Sequence, residues 1–175
     1  MEQQPSRTPG AAHPSTNDGP LTRAVFASAD VNRWGEAMRP SAEKVWTKVS
    51  GKDTAGAWSA FESLAPAGFG VPLHLHHSQE EWFWVLSGEL LFEVGGERYH
   101  LTPGSSLLAP RKIPHRWKNT TESVARFLIV AQPTGGLEEF FDEFALLTAE
   151  QLQDFGLINA LFGRGEMEVV GPPLE

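Results

Sequence analysis

Hydrophobic and polar residues alternate in short runs along the middle of the chain, and Gly or Pro separates each run from the next. Between residues 44 and 132 there are about nine such runs, among them VPLHLH, EWFWVLSG, ELLFEVGG and VARFLIVAQP. Alternation with a period of two is typical of β-strands that bury one face. Many short strands at regular spacing favour a sandwich or a barrel. The run LLFEV-GG-ERYHL predicts a hairpin that turns at Gly95 and Gly96.

The pattern changes after Pro133, where apolar residues follow the spacing of a helix. These residues are Leu137, Phe140, Phe141, Phe144 and Leu147. Thr148 and Gln151 form a predicted capping box at the start of a further helical run. We therefore expect a helical extension over about 137–162 that packs on a β body over about 45–131. The last residues, EMEVVGPPLE, indicate a short extended piece.

The beginning of the chain has a different composition. Residues 1–20 contain four prolines and almost no large apolar side chain. Such a segment cannot bury enough surface to offset the entropy cost of ordering, so the sequence predicts a disordered tail over 1–20. Residues 21–175 are expected to form a single domain, since 175 residues is an ordinary length for one.

Charge and composition narrow the class of partner. The net charge is −8 and the pI is about 5.2, which argues against a nucleic-acid partner and against binding to an anionic membrane. The chain has no cysteine, so thiolate chemistry and disulfides are absent. The first residues show no apolar segment typical of a signal peptide. We expect a cytoplasmic protein whose partner is a small-molecule substrate.

Three of the six histidines lie in the apolar run GFGVPLHLHHSQEEWFWVLSG, beside two adjacent glutamates. Burying such groups is costly unless they bind something. His74 and His76 are separated by one residue, so on a strand they point to the same face, roughly 7 Å apart. Two imidazoles so placed can bind one metal ion, although such a pair alone also occurs in ordinary cores.

Two further candidates come from neighbouring runs. Glu81 begins the strand EWFWVLSG, and His115 lies in the run PHRWKN behind a proline. His74, His76, Glu81 and His115 would then come from three strands, and the interior of a barrel is where such residues can converge. Adjacent strand positions face opposite sides, so one of Glu80 and Glu81 points inward and the other outward.

Two spaced motifs give the chain a resemblance to the cupin superfamily. The first cupin motif is matched spacing for spacing by Gly68-x5-His74-x-His76-x4-Glu81-x6-Gly88. The second is matched by Gly104-x5-Pro110-x-Lys112-x2-His115-x3-Asn119, except that Lys112 stands where the motif has Gly. Only Glu81 leaves six residues before Gly88, which favours it over Glu80. The C-terminal tail is similar to that of quercetin-dioxygenase-like cupins.

This resemblance implies an all-β fold: a single jelly-roll-like cupin barrel of two antiparallel sheets, with helices packed on it. It implies that His74, His76, Glu81 and His115 bind one divalent metal ion, which could be Fe, Mn, Ni, Co or Zn. The implied function is a quercetinase-like dioxygenase that acts on a small aromatic or enolic substrate. Glu81 would be both a ligand and the candidate general base. The alternatives are a redox-neutral isomerase or lyase and a non-catalytic cupin that binds a small molecule.

The same strands predict a pocket and an interface. Phe83, Phe92 and Trp117 are expected to line a substrate pocket beside the ligands. If Glu81 points into the barrel, then Trp82, Trp84 and Leu86 point outward and form an apolar stripe. A stripe of this kind is unusual on the surface of a monomer, so the N-terminal segment, the C-terminal helices or a second subunit must cover it. Because the resemblance also implies a dimer, we expect a homodimer.

Overall fold

The described part of the chain forms ten β-strands and two α-helices. The structure is a computed structural model, and it describes residues 24–36, 43–148 and 150–175. The strands are β1 (Lys44–Val49), β2 (Ser59–Ala65), β3 (Leu73–His76), β4 (Glu80–Ser87), β5 (Leu90–Val94), β6 (Glu97–Leu101), β7 (Ser106–Ala109), β8 (His115–Lys118), β9 (Ala125–Gln132) and β10 (Met167–Gly171). The helices are α1 (Leu137–Phe144) and α2 (Phe155–Arg164).

The strands form two five-stranded antiparallel sheets. One has the order β1-β2-β9-β4-β7 and the other the order β10-β3-β8-β5-β6. The predicted all-β fold of two antiparallel sheets with C-terminal helices is therefore confirmed. The predicted hairpin is confirmed as well, because Val94 pairs with Glu97 across Gly95 and Gly96, which both have positive φ. The predicted tail over 1–20 lies outside the described residues.

Alternation along the strands places the core between the sheets. In β4, Glu81, Phe83 and Val85 are buried while the residues between them are more exposed. Phe61 in β2 and Phe127 in β9 are also fully buried, and the register places them on the same inner face. Apolar burial of this kind contributes about 25 cal/mol for each Å² removed from water, so these aromatic side chains dominate the stability of the body.

The C-terminal helices pack over one end of the space between the sheets. Helix α2 begins at the N-cap residue Asp154, whose carboxylate accepts a hydrogen bond from the backbone N–H of Leu157 at 3.0 Å. The helices contact each other through Phe140 and Phe162, whose ring centroids are 4.9 Å apart. The extended piece predicted at the C-terminus is strand β10, which pairs with β3 and fixes α2 beside the histidines of β3. None of the helices in the described ranges is long and apolar enough to cross a membrane.

The outer face of β4 carries the predicted apolar stripe. Trp84 is 41% exposed and Leu86 is 40% exposed, while Leu108 on the neighbouring β7 is 54% exposed. Leu108 pairs directly with Trp82, so these side chains form one continuous patch. A second copy of the chain would cover this patch, and the homodimer stays a prediction.

We expect light scattering to give twice the monomer mass of 19.2 kDa at micromolar concentration. Placing a charge in the patch with Trp84→Glu should give the monomer mass, because an unpaired charge at an apolar interface is costly. Leu146→Glu, at an exposed position outside the patch, is the control. A monomer mass for the wild-type protein would show that the dimer prediction is wrong.

Candidate metal centre

Four buried side chains converge between the two sheets. His74 and His76 come from β3, and His115 comes from β8, where it pairs directly with His74. Glu81 comes from β4 of the opposite sheet. One ligand atom from each residue can be chosen so that all four atoms lie within 4.8 Å of one another. The four residues predicted from sequence are thus brought together in one place.

Their neighbours in sequence point away from this cluster. Glu80 lies on the outer face, where its carboxylate accepts a bond from the Arg111 guanidinium at 3.0 Å. The His77 side chain is 55% exposed and lies near Glu168. The parity of the strands therefore selects Glu81 over Glu80 and His76 over His77, as expected from the alternation of strand faces.

Each imidazole is oriented by a hydrogen bond on its Nδ1 atom. The Nδ1 atoms of His74 and His115 lie 2.8 Å and 3.1 Å from the carbonyl oxygens of Pro72 and Ile113. A carbonyl oxygen only accepts, so both Nδ1 atoms carry the proton. This leaves the lone pair of each Nε2 atom directed at the centre, which is the tautomer that binds a metal.

His76 is oriented by a side chain instead of a carbonyl. Its Nδ1 lies 2.9 Å from Oε1 of the buried Gln79, whose Nε2 donates to the backbone carbonyl of Thr134 at 2.9 Å. That second bond fixes which end of the amide faces His76. A Cβ atom on Gly135 would lie 1.9 Å from Gln79 Nε2, so the glycine, at φ 53°, provides the space for this amide.

The centre of the cluster has the properties of a site for a cation. His76 Nε2 lies 3.1 Å from Glu81 Oε2 but has no hydrogen-bond partner, although it is fully buried. His115 Nε2 also lies 3.1 Å from the same oxygen. Three neutral imidazoles and one carboxylate would leave a divalent ion with a net charge near +1. These residues therefore fit a divalent metal, and nitrogen and oxygen donors suit Fe, Mn, Ni, Co or Zn.

The electrostatics of the cluster are consistent with one carboxylate held among imidazoles. Burial alone would raise the pKa of Glu81, but the charge of the His76 imidazole, together with that of His115, holds this pKa well below its usual range. Burial, together with the charges of His115 and His76, lowers the pKa of His74. Burial opposes protonation of His76 too, but Glu81 raises the pKa of that imidazole. The carboxylate is thus ionised and available as a ligand.

Lys112, which replaces the motif glycine, adopts the backbone conformation that a glycine would favour. Its φ is 64°, in the left-handed region, and its backbone N–H donates to the carbonyl of His76 at 2.7 Å. The turn before β8 is therefore retained despite the substitution. A side chain in this region costs roughly 1–2 kcal/mol.

Lys112→Gly is expected to stabilise the protein by about 0.5–1 kcal/mol, because relief of the strain exceeds the entropy that glycine adds to the unfolded chain. Denaturant unfolding measures this. Arg111→Gly, whose φ is not in the left-handed region, is the control and should destabilise the protein. A loss of stability in Lys112→Gly as large as that in Arg111→Gly would contradict the strain argument.

Gln79→Leu is expected to weaken metal binding about 10–100-fold, because it removes the acceptor that orients His76. Competition with a chromophoric chelator measures the affinity. Gln79→Glu keeps an acceptor oxygen and should retain most of the affinity. Gln153→Leu, which makes the same change on the helical side of the cavity, is the control and should bind the metal as the wild type does. Equal affinity in Gln79→Leu and wild type would mean that Gln79 does not orient the ligand.

The cluster opens into a cavity of about 580 Å³ that extends from the barrel to the helices. Phe83 and Trp117, two of the three predicted pocket residues, line the cavity, and their contact with a substrate stays a prediction. Phe92, the third predicted pocket residue, is fully buried behind Phe83 with ring centroids 4.8 Å apart, so Phe83 and not Phe92 forms the wall here. The helices contribute further aromatic lining residues, which are Phe140, Phe141, Phe144, Phe155 and Phe162.

Comparison with known proteins identifies the fold family. Residues 60–131 match the family model described as a cupin domain. The chain is 32% identical to the polyketide synthase CurC of Streptomyces cyaneus over 65% of this chain and 76% of CurC. The chain belongs to the cupin family. The metal ligands expected of this cupin are the four residues that converge in the structure.

The chain is also similar to parts of proteins with other names. The chain is 34% identical to the transcriptional regulator PuuR of Escherichia coli over 42% of this chain, and it spans only 40% of the regulator's length. A crystal structure of a predicted oxalate decarboxylase from Thermotoga maritima has a TM-score of 0.51 and 21% identity, covering 54% of this chain and 90% of that chain. At that identity the likeness concerns the fold alone.

Sequence reasoning missed two buried polar residues near the cluster. Gln79 is one, and its partners Thr134 and Gly135 lie far away in the chain. Glu43 is the other, a buried carboxyl group that lines the same cavity. Gln79 occupies a variable position of the first motif, and Glu43 lies outside both motifs. A charged residue at the start of a strand ordinarily faces water.

Proposed function

We propose that this cupin is a metal-dependent enzyme, a quercetinase-like dioxygenase that acts on a small neutral aromatic or enolic substrate. The observation that carries the proposal is that the four-residue cluster borders a cavity lined by aromatic side chains. A cavity of about 580 Å³ is in the usual range for sites that bind small organic molecules.

The lining of the cavity favours a substrate without a phosphate group. Apart from the histidines, Lys118 is the sole basic side chain among the described residues that line it. Phosphate recognition ordinarily uses several cationic or backbone N–H donors. Aromatic walls such as Phe83 and Trp117 instead suit the flat faces of aromatic rings. A phenol or enol with few charges is the substrate class that matches these walls.

The residues of the chain have separable roles in this proposal. The three imidazoles and Glu81 would hold the metal, which when bound would supply Lewis acidity and the ability to bring an organic substrate and dioxygen together. Glu81 accepts the proton of the phenol or enol hydroxyl, as its ionised state allows. The helices α1 and α2 line one side of the cavity with apolar side chains. Overall, both atoms of dioxygen enter the organic product, a carbon–carbon bond of the substrate is cleaved, and the substrate supplies the electrons.

Two observations favour other uses of the same site. Glu43 adds a second carboxyl group to the cavity, which favours redox-neutral proton-transfer chemistry, and the relative CurC bears the name of a polyketide synthase. The similarity to PuuR, a transcriptional regulator, favours a domain that binds a small molecule without converting it. One experiment separates these possibilities from the dioxygenase.

The test uses the protein reconstituted with Fe, Mn, Ni, Co or Zn and a panel of flavonols, catechols and β-diketones in an oxygen electrode. Oxygen uptake matched to product, and lost in His76→Ala/His115→Ala, is the expected result. Product without oxygen uptake would replace the dioxygenase with an isomerase or lyase. Binding without any product would identify a binding protein.

A further inference from the structure

Glu43 is a buried carboxyl group inside the barrel that no metal-binding role requires. It precedes β1 and is only 4% exposed, although glutamate is rarely buried to this extent. It lines the same cavity as His74, His76 and Glu81. Glu43 therefore borders the space that a substrate would occupy.

Ser63 holds the Glu43 carboxyl group in this position. The Ser63 hydroxyl donates a hydrogen bond to Glu43 Oε1. Ser63 is fully buried on β2 and lies on the inner face between Phe61 and Ala65. Because Val45 pairs with Ser63, the start of β1 runs beside this serine and the carboxyl group reaches into the barrel.

The strand register relates Glu43 to the metal centre. Across β2, β9 and β4, Ser63 is level with Phe127 and Val85, whereas Glu81 is level with Ala131. The row formed by Phe83 and Ile129 lies between these two levels, and both of its residues line the cavity. Four strand residues separate Glu81 from the level of Ser63, a rise of about 13 Å. A flat molecule lying over Phe83 and Ile129 can therefore approach Glu81 at one end and Glu43 at the other.

The protonation state of Glu43 at neutral pH differs from that of Glu81. Burial raises the pKa of Glu43 to about 7. The Ser63 hydrogen bond lowers this pKa in part, and the negative charge of Glu81 raises it further. A carboxylic acid donates a hydrogen bond through its O–H, whereas a carboxylate only accepts. Below that pKa the cavity has an acceptor at Glu81 and a donor at Glu43.

We propose that Glu43, as a carboxylic acid, donates a hydrogen bond to a carbonyl oxygen of the substrate. The substrate is then a neutral molecule of several fused rings, with a hydroxyl group at the end that faces the metal and a carbonyl group at the end that faces Glu43. This inference rests on the proposed function, since it names the substrate class of that site. The hydrogen bond polarises the carbonyl and fixes which end of the substrate faces the metal.

Other charged groups around the cavity must be considered in any pH dependence. Among the described residues these are Glu81 of β4, His74 and His76 of β3, His115 of β8, and Lys118 at the end of β8. The test therefore compares variants of Glu43 and Ser63 in which all of these groups are unchanged.

The test measures binding of xanthone, a neutral three-ring ketone, by tryptophan fluorescence of the full-length protein, metal-loaded and again after chelation. Xanthene, which lacks the carbonyl, is the matched ligand. After chelation, wild-type protein should bind xanthone about tenfold more weakly at pH 8 than at pH 6, as the acid form is lost. Glu43→Gln keeps a donor at every pH, so it should bind xanthone with a constant, low-pH affinity. Xanthene should bind equally at both pH values.

Ser63→Ala gives a second prediction with a definite direction. The Ser63 hydrogen bond lowers the pKa of Glu43, so its removal should move the loss of xanthone binding to higher pH. Equal binding of xanthone by the wild-type protein at pH 6 and pH 8 would overturn the proposal. The same pH dependence for xanthene would also overturn it, because the carbonyl would then not be the group recognised.

Failure of this inference is distinguishable from failure of the proposed function. If xanthone binding depends on pH but no compound in the panel is turned over, the role of Glu43 is supported and the proposed enzymatic activity is rejected. If a compound is turned over but xanthone binding does not depend on pH, the proposed enzymatic activity is supported and the role of Glu43 is rejected.

Discussion

Adding a divalent metal ion is expected to raise the free energy of unfolding by about 4 kcal/mol when the free ion is present at about 1,000 times its dissociation constant. The ligands come from β3, β4 and β8, so the site exists in the folded chain and not in the unfolded one. An ion that binds only the native state stabilises it by mass action. Denaturant unfolding with and without the metal measures the difference.

Variants of adjacent histidines provide the control for this result. His76→Ala removes a ligand and should lose most of the metal-dependent stabilisation. His77→Ala changes the next residue, whose side chain is largely exposed, and should respond to metal as the wild type does. An equal metal response in both variants would mean that the ion stabilises the protein from somewhere other than the cluster.

The free energy of unfolding of Glu43→Gln, relative to that of the wild type, is expected to rise by roughly 3 kcal/mol between pH 4.5 and pH 8. The folded-state pKa of Glu43 is raised from 4.5 to about 7, so folded protein keeps a proton that unfolded protein has lost between these values. The wild type therefore loses stability from this group as the pH rises through that window. Glutamine has no proton to lose and shows no such loss.

The measurement is the difference in unfolding free energy between variant and wild type, taken from pH 5 to pH 8 in the presence of a chelator. Glu80→Gln, at an exposed carboxylate paired with Arg111, is the control and should differ from wild type by less than about 1 kcal/mol throughout. A difference for Glu43→Gln that stays constant with pH would contradict the raised pKa.

Much of the metal site could be predicted because it depends on local rules. Strand parity places His74 and His76 on one face and separates Glu81 from Glu80, and the motif spacing adds His115. The turn at Gly95 and Gly96 was predictable for the same reason, since two glycines between alternating runs favour a tight hairpin.

The remaining features depend on contacts between distant parts of the chain. Gln79 orients His76 only because the loop at Thr134 and Gly135 passes beside it, and nothing in the run HHSQEE indicates that contact. Glu43 is buried because β1 runs along the edge of β2 beside Ser63. The pairing of β10 with β3 is of the same kind, since extended segments can pair with any free sheet edge.

The left-handed conformation of Lys112 shows how a departure from a motif can leave the structure of a site intact. The turn keeps the backbone bond from Lys112 to His76 and therefore the position of β8 relative to β3. The cost is local strain at one exposed residue, which the rest of the fold tolerates. A motif position that prefers glycine for its backbone conformation can thus hold another residue without loss of the ligands beside it.

The most direct test of the metal centre is elemental analysis of the purified full-length protein. We expect one divalent metal ion per chain in the wild type and in the control His77→Ala/His100→Ala, whose two imidazoles are exposed. We expect little or no metal in His76→Ala/His115→Ala, provided that circular dichroism shows this variant to be folded. One metal ion per chain retained in the folded His76→Ala/His115→Ala variant would show that these four residues do not form the metal site.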